Sequence, residues 1–122
     1  MQIDLEALTA RDRYKLLCGV VIPRPIAWVT TINADGVVNV APFSFFNVFG
    51  ADPATVILGL EHHADGTPKD TTRNIDETGE YTINILTPDL NYVMVATAVQ
   101  YPANVSEAAM LGLDLCPSAK IA

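Results

Sequence analysis

Pro25 to Ile32 reads PIAWVTTI, Asn33 to Gly36 reads NADG, and Val37 to Val40 follows. β-Branched and aromatic residues on both sides of a short turn ending in Gly predict an antiparallel hairpin with a four-residue connection. This feature limits the fold more than any other. Strands joined directly, with no helix between them, do not belong to regular βαβ units. Thr55 to Leu60 (TVILGL) and Tyr81 to Leu86 (YTINIL) predict a third and a fourth strand. Helical spacing of apolar residues predicts helices over Leu5 to Cys18 and Asp89 to Val99, and a short one from Ser106 to Leu111, closed by Gly112. A further helix is expected to start at Thr67-Pro68-Lys69-Asp70, with Thr67 as N-cap and Pro68 at the first helical position, and to stop at Gly79. The resulting pattern is mainly β with inserted helices, in one domain, an α+β fold or a decorated barrel. Four strands leave a barrel incomplete, and a second copy of the chain could close it.

Asn39 to Asn47 reads NVAPFSFFN. Proline removes a ladder donor, so Pro42 predicts that the second strand ends here. Phe43, Phe45 and Phe46 are unsuited to open water. The segment is therefore expected to lie across an apolar surface outside its own core, either a partner subunit or a flat ligand. Composition agrees: charged residues make up only 17% of the chain and apolar ones 50%, against about 25% charged in ordinary domains. That leaves too little charge to solvate every face and predicts an extensive subunit interface. Seven basic against 14 acidic residues give a net charge of −7, which argues against nucleic acid or a membrane surface as partner. Cys18 and Cys116 form no CxxC pair and suggest neither a disulfide framework nor a zinc site. MQIDLEAL lacks the basic and apolar regions of a signal peptide, and polar residues and Pro102 break the uncharged window Leu90 to Ser106. A cytoplasmic protein is expected, in which the Asn104-Val105-Ser106 sequon is a coincidence.

No side-chain catalyst announces itself. Ser44 has no GxSxG context, His62 and His63 are adjacent and would face opposite ways in a strand, and there is neither a GxGxxG nor a Walker loop. Chemistry carried by a cofactor is the better expectation, with no catalytic residue and no metal. Thr30 and Thr31 end a strand, and Lys69, Asp70, Thr71, Arg73 and Asn74 occupy the first turns of a predicted helix, whose N-terminus attracts anions. The same residues also suit a plain cap (Thr67, Asp70) and a solvated face (Lys69, Arg73). Spacing alone does not separate the two readings.

PRPIAWVTT (Pro23 to Thr31), NADG, NVAPFSFFN, Asp52-Pro53, KDTTRNI with ETGEYTIN behind it, and YPANVSE with Gly112-Leu113 follow one another in an order that resembles the flavin reductase-like family of FMN-binding split barrels. The match runs from about Tyr14 to Ser118. It implies a Greek-key split β-barrel and a homodimer with FMN at the subunit interface. Implied activities are hydride transfer from NAD(P)H to flavin, or electron carriage to an acceptor protein. The alternative is a cofactor-free remnant that serves as an interaction module. Members of the family continue beyond the position of Ala122, so the domain, residues 1–122, is expected to be C-terminally truncated. Carried over by position, the flavin contacts fall on Trp28 to Thr31, on Asn39, Ala41, Pro42 and Ser44, and on Lys69, Asp70, Thr71 and Asn74. The isoalloxazine edge is assigned to Asn39, Ala41 and Ser44, and the phosphate to Thr30, Thr31, Lys69 and Thr71. On this reading Pro42 stops the ladder so that backbone near Ala41 faces the flavin, while the phenylalanines pack at the subunit contact.

Overall fold

The computed structural model describes residues 2–121. Helix α1 (Ala10–Val20) comes first, then strands β1 (Ala27–Ile32), β2 (Val38–Phe43), β3 (Phe46–Ala51) and β4 (Ala54–Leu58). Helix α2 (Asp70–Thr78), strand β5 (Thr82–Asn84), a 3-10 turn over Pro88–Leu90, and helices α3 (Asn91–Ala96) and α4 (Glu107–Met110) complete the chain. The strands form an antiparallel three-stranded sheet in the order β2-β1-β5 and a separate β3-β4 hairpin. The fold is a split barrel with inserted helices.

β1 and β2 pair from Ala27↔Phe43 to Ile32↔Val38 across the NADG turn, where Gly36 takes the left-handed conformation (φ 79°) that such turns ask of glycine. The hairpin expectation holds, but its end does not: β2 continues through Pro42, which pairs with Trp28, as far as Phe43. Pro42 does not stop the ladder. β2 is an edge strand, and the backbone N–H of Val40 points away from β1, to Glu107. Pro42 occupies the next outward position, where a missing N–H removes no ladder bond. Phe46, expected to lie on an apolar surface, instead opens β3, a strand the sequence did not predict.

Alternation along β1 and β2 divides the sheet into two faces. Trp28, Thr30, Val40 and Pro42 share one, which packs on α3 and α4: Trp28, Val40, Met94 and Ala108 form the apolar cluster, with Leu86, Leu90 and Leu113 around it. The Trp28 indole N–H donates to Thr97 Oγ1 at 2.9 Å. Val29, Thr31, Asn39 and Ala41 share the other face, which meets α2 through Thr71 and Asn74.

Among the described residues the buried apolar set is short, Ala27, Trp28, Val29, Val40, Met94 and Ala108, and it is matched by buried Thr31, Asn39, Thr71, Thr72, Asn74, Thr97 and Glu107. Much apolar area stays outside: Val48, Phe49 and Ile57 on the β3-β4 hairpin are 70%, 75% and 48% exposed. An exposed apolar hairpin is what an interface requires. Phe49 is its most open aromatic residue, whereas Phe43, Phe45 and Phe46, expected at a subunit contact, are each half-buried within this chain.

Candidate functional site

Helix α2 begins two residues later than its sequence cue suggests. Lys69 is the N-cap and makes no side-chain capping bond. Thr67, the expected cap, is engaged elsewhere, because its hydroxyl and backbone N–H both bond to Asp65 Oδ1 (2.7 and 3.0 Å) in a local turn. Short polar side chains often satisfy neighbouring backbone in this way instead of capping. Pro68 accordingly precedes the helix and forms a bridge with His62. The result is a helix start whose first amides no side chain of the N-cap satisfies, which favours an anion. At its far end α2 stops at Gly79 in the left-handed conformation, as expected.

Two buried bonds fix this helix on the sheet. The Asn39 side-chain amide donates to Thr71 Oγ1 at 2.9 Å, and the Asn74 amide donates to Thr31 Oγ1 at 3.0 Å. Four of the residues assigned from the sequence thus meet in one polar layer between β1, β2 and α2. Asn74 is 2% exposed, and its Oδ1 has no partner among the described residues. A buried acceptor without a donor is expensive and calls for one from outside the chain. Asp70 pairs with Arg73 on the same helix.

Beside the helix start lies an open cleft of about 160 Å³, lined by Pro42, Phe43, Ser44, Phe45, Gly59, Glu61, Lys69 and Tyr14. Pro42, Ser44 and Lys69 were assigned from the sequence. The others were not, and each has a physical reason to be there. Gly59 lets β4 pass tightly beneath Phe45: a Cβ there would lie 2.9 Å from Phe45 Cβ, and the Gly59 N–H donates to Phe45 O at 2.7 Å. The Phe45 ring meets Tyr14 of α1, with centroids 5.8 Å apart, and the Arg24 guanidinium lies 5.9 Å from it. Arg24 itself donates to the Cys18 and Val21 carbonyls at the end of α1 (2.8 and 3.0 Å). Hydrogen bonding to Cys18 raises the Tyr14 hydroxyl above its usual value, so it stays neutral. Glu61 faces Lys69 at 3.7 Å, with both side chains about half exposed.

Trp28 and Thr30 stand apart from this group. Their side chains occupy the opposite sheet face, Trp28 in the apolar cluster and Thr30 Oγ1 accepting from the Asn84 amide at 2.7 Å. Ala41 lies on the α2 face, opposite Val29. His62 and His63 belong to the turn before α2, and among the described residues no cluster of His, Cys, Asp or Glu could hold a metal ion. No helix among them is long and apolar enough to cross a membrane.

The family profile described as "flavin reductase like domain" matches residues 20–122. An uncharacterized protein of Halalkalibacterium halodurans is 40% identical over 97% of this chain and 56% of its own length. Among solved structures, nitrilotriacetate monooxygenase component B of Bacillus cereus superposes with a TM-score of 0.91 at 37% identity, over 99% of this chain and 59% of that one. The 2-nitrobenzoate 2-nitroreductase of Pseudomonas fluorescens gives 0.84 at 36% identity, over 99% and 57%. The chain thus spans somewhat more than half the length of these relatives.

Proposed function

The chain belongs to the flavin reductase-like family, and on that premise we propose that it binds FMN at the start of α2 and serves as an NAD(P)H-dependent flavin reductase or a flavoprotein electron carrier. One observation carries the reading: an N-terminus of α2 with no side-chain cap, bearing Lys69 and bonded through Thr71 and Asn74 to Asn39 and Thr31. The residues present fit a flavin monophosphate. The helix amides and the Lys69 ammonium would hold the phosphate. Asn74 Oδ1, buried and without a partner among the described residues, would accept from a hydroxyl-bearing chain. Ser44 and the backbone around Asn39, Ala41 and Pro42 would border the ring.

When bound, the flavin supplies the hydride and electron chemistry. The protein's own part is orientation. Asn39 and Thr31 hold α2 against the sheet so that phosphate and ring sites keep a constant separation. Tyr14 and Phe45 screen one side of the cleft from water. Lys69 would leave Glu61 to meet the phosphate.

The protein acts as a homodimer in this reading. Exposed Val48, Phe49 and Ile57 supply an apolar surface for a second subunit, and a cytoplasmic location agrees with free Cys18 and Cys116. The test is reconstitution: purified chain mixed with FMN and desalted should retain a flavin absorption band and quench flavin fluorescence, and should then oxidise NADH or NADPH. A colourless sample that cannot be reconstituted would favour the cofactor-free interaction module.

A further inference from the structure

Glu107 is a carboxylate with no role in the site as described so far. It opens α4, is 5% exposed, and takes part in neither salt bridge found among the described residues. A buried carboxylate without a counter-ion is unfavourable and persists when it satisfies something else. Its Oε2 accepts the Val40 N–H at 3.0 Å. Val40 is 2% exposed, and β2 is the edge of its sheet, so without Glu107 this buried amide would have no partner from β1. α4 is itself well fixed: Ser106 Oγ caps it through the Ala109 N–H at 3.4 Å, the Leu113 N–H returns to Ala108 O at 2.9 Å, and Ala108 belongs to the apolar cluster.

β2 is therefore clamped at consecutive residues by two helices. Thr71 of α2 takes the Asn39 side chain, and Glu107 of α4 takes the Val40 backbone. Ala41, Pro42 and Ser44, placed among the flavin contacts, follow directly. We infer that Glu107 is a positioning residue for the flavin site, acting through the Val40 N–H to set where the Asn39 to Ser44 segment stands relative to the start of α2. The inference rests on the FMN reading. The charged surroundings of Glu107 are few. β2 and α3 carry no charged group and α4 no other; of the charged residues of α2, Asp70, which pairs with Arg73, is the one that acts on Glu107. Burial, with a smaller contribution from Asp70, raises the Glu107 carboxyl above the usual range. Its protonation is thus open to measurement in the folded protein.

The experiment compares the parent chain with Glu107→Gln, Glu107→Ala and Gly36→Ala. The last is a control that strains the hairpin's turn, where φ is +79° and an added Cβ meets no other group within 4 Å. FMN affinity is measured by fluorescence quenching well below each melting temperature, and the Val40 amide by NMR. Glu107→Ala should weaken FMN binding by about tenfold and speed Val40 amide exchange, whereas Glu107→Gln, which keeps an acceptor, should stay within about threefold of the parent. The Val40 amide resonance should move with pH as Glu107 titrates in the parent and stay still in Glu107→Gln. If Glu107→Ala does not fold, Glu107→Asp, whose shorter side chain withdraws the acceptor from the Val40 N–H, takes its place and should weaken FMN binding and speed Val40 exchange in the same direction. Parental FMN affinity in Glu107→Ala despite faster Val40 exchange would overturn the inference and leave the FMN reading standing. So would an equal loss of affinity in Gly36→Ala at matched melting temperature, or a Val40 resonance that ignores pH in the parent. A parent chain that binds no FMN would overturn both.

Discussion

The Lys69–Glu61 pair gives the phosphate assignment a quantitative test. Before Lys69 can meet an anion it must leave Glu61. At 3.7 Å two unit charges in bulk water attract by about 1 kcal/mol. With both side chains about half exposed, the net worth of the pair falls to about 0.5 kcal/mol after screening and side-chain entropy. A charge-assisted bond from Lys69 to phosphate contributes roughly 1.5 to 3 kcal/mol. Lys69→Ala should then lose about 1 to 2.5 kcal/mol of FMN affinity, roughly fivefold to sixtyfold. Glu61→Gln frees Lys69 and should tighten binding by about twofold. In a chain already carrying Lys69→Ala, the Glu61→Gln change has no ammonium to free and should do almost nothing. Fluorescence titration of the four proteins with FMN, at low salt and again at about 0.5 M salt, completes a double-mutant cycle. Lys69→Ala binding as tightly as the parent would refute the assignment, as would an undiminished Glu61→Gln effect in its background. Riboflavin, which lacks the phosphate, should respond to neither substitution.

Three further outcomes are expected. Gly59→Ala places a Cβ 2.9 Å from Phe45 Cβ, so it should lower stability by about 1 to 3 kcal/mol in thermal unfolding; an unchanged melting temperature would show that the Phe45 turn yields. Thr97→Val leaves the buried indole N–H of Trp28 without its 2.9 Å acceptor and should destabilise the chain by about 1 to 3 kcal/mol, with a shift in Trp28 fluorescence that Thr87→Val does not produce. The Glu107 carboxyl holds its proton to higher pH in the folded chain than the usual value of 4.5. Its stabilising contribution is therefore complete below that value and lost as pH rises through the folded-state value; denaturant unfolding between pH 4 and 8 should show this loss in the parent and not in Glu107→Gln.

Local chemistry was readable along the chain because the residues that decide it are sequence neighbours. NADG closes the first hairpin, Gly79 ends α2 and a short helix forms within Ser106 to Leu111, each by backbone conformation or bonds within a few residues. The family motifs likewise led to Asn39, Thr71, Asn74 and Thr31, which do meet in one layer. Other readings failed where a competing partner or a neighbouring element decides the outcome. Pro42 looked like a strand end, yet its outward position on an edge strand makes a proline harmless there. Thr67 has a cap's spacing, but Asp65 takes its hydroxyl first. The cleft brings Tyr14, Gly59 and Glu61 against Ser44 and Lys69 from separate parts of the chain. Glu107 is buried 67 residues away from the amide that it satisfies. A periodic pattern records which face of an element is apolar. Which remote donor or acceptor waits opposite that face is settled only when the chain closes on itself.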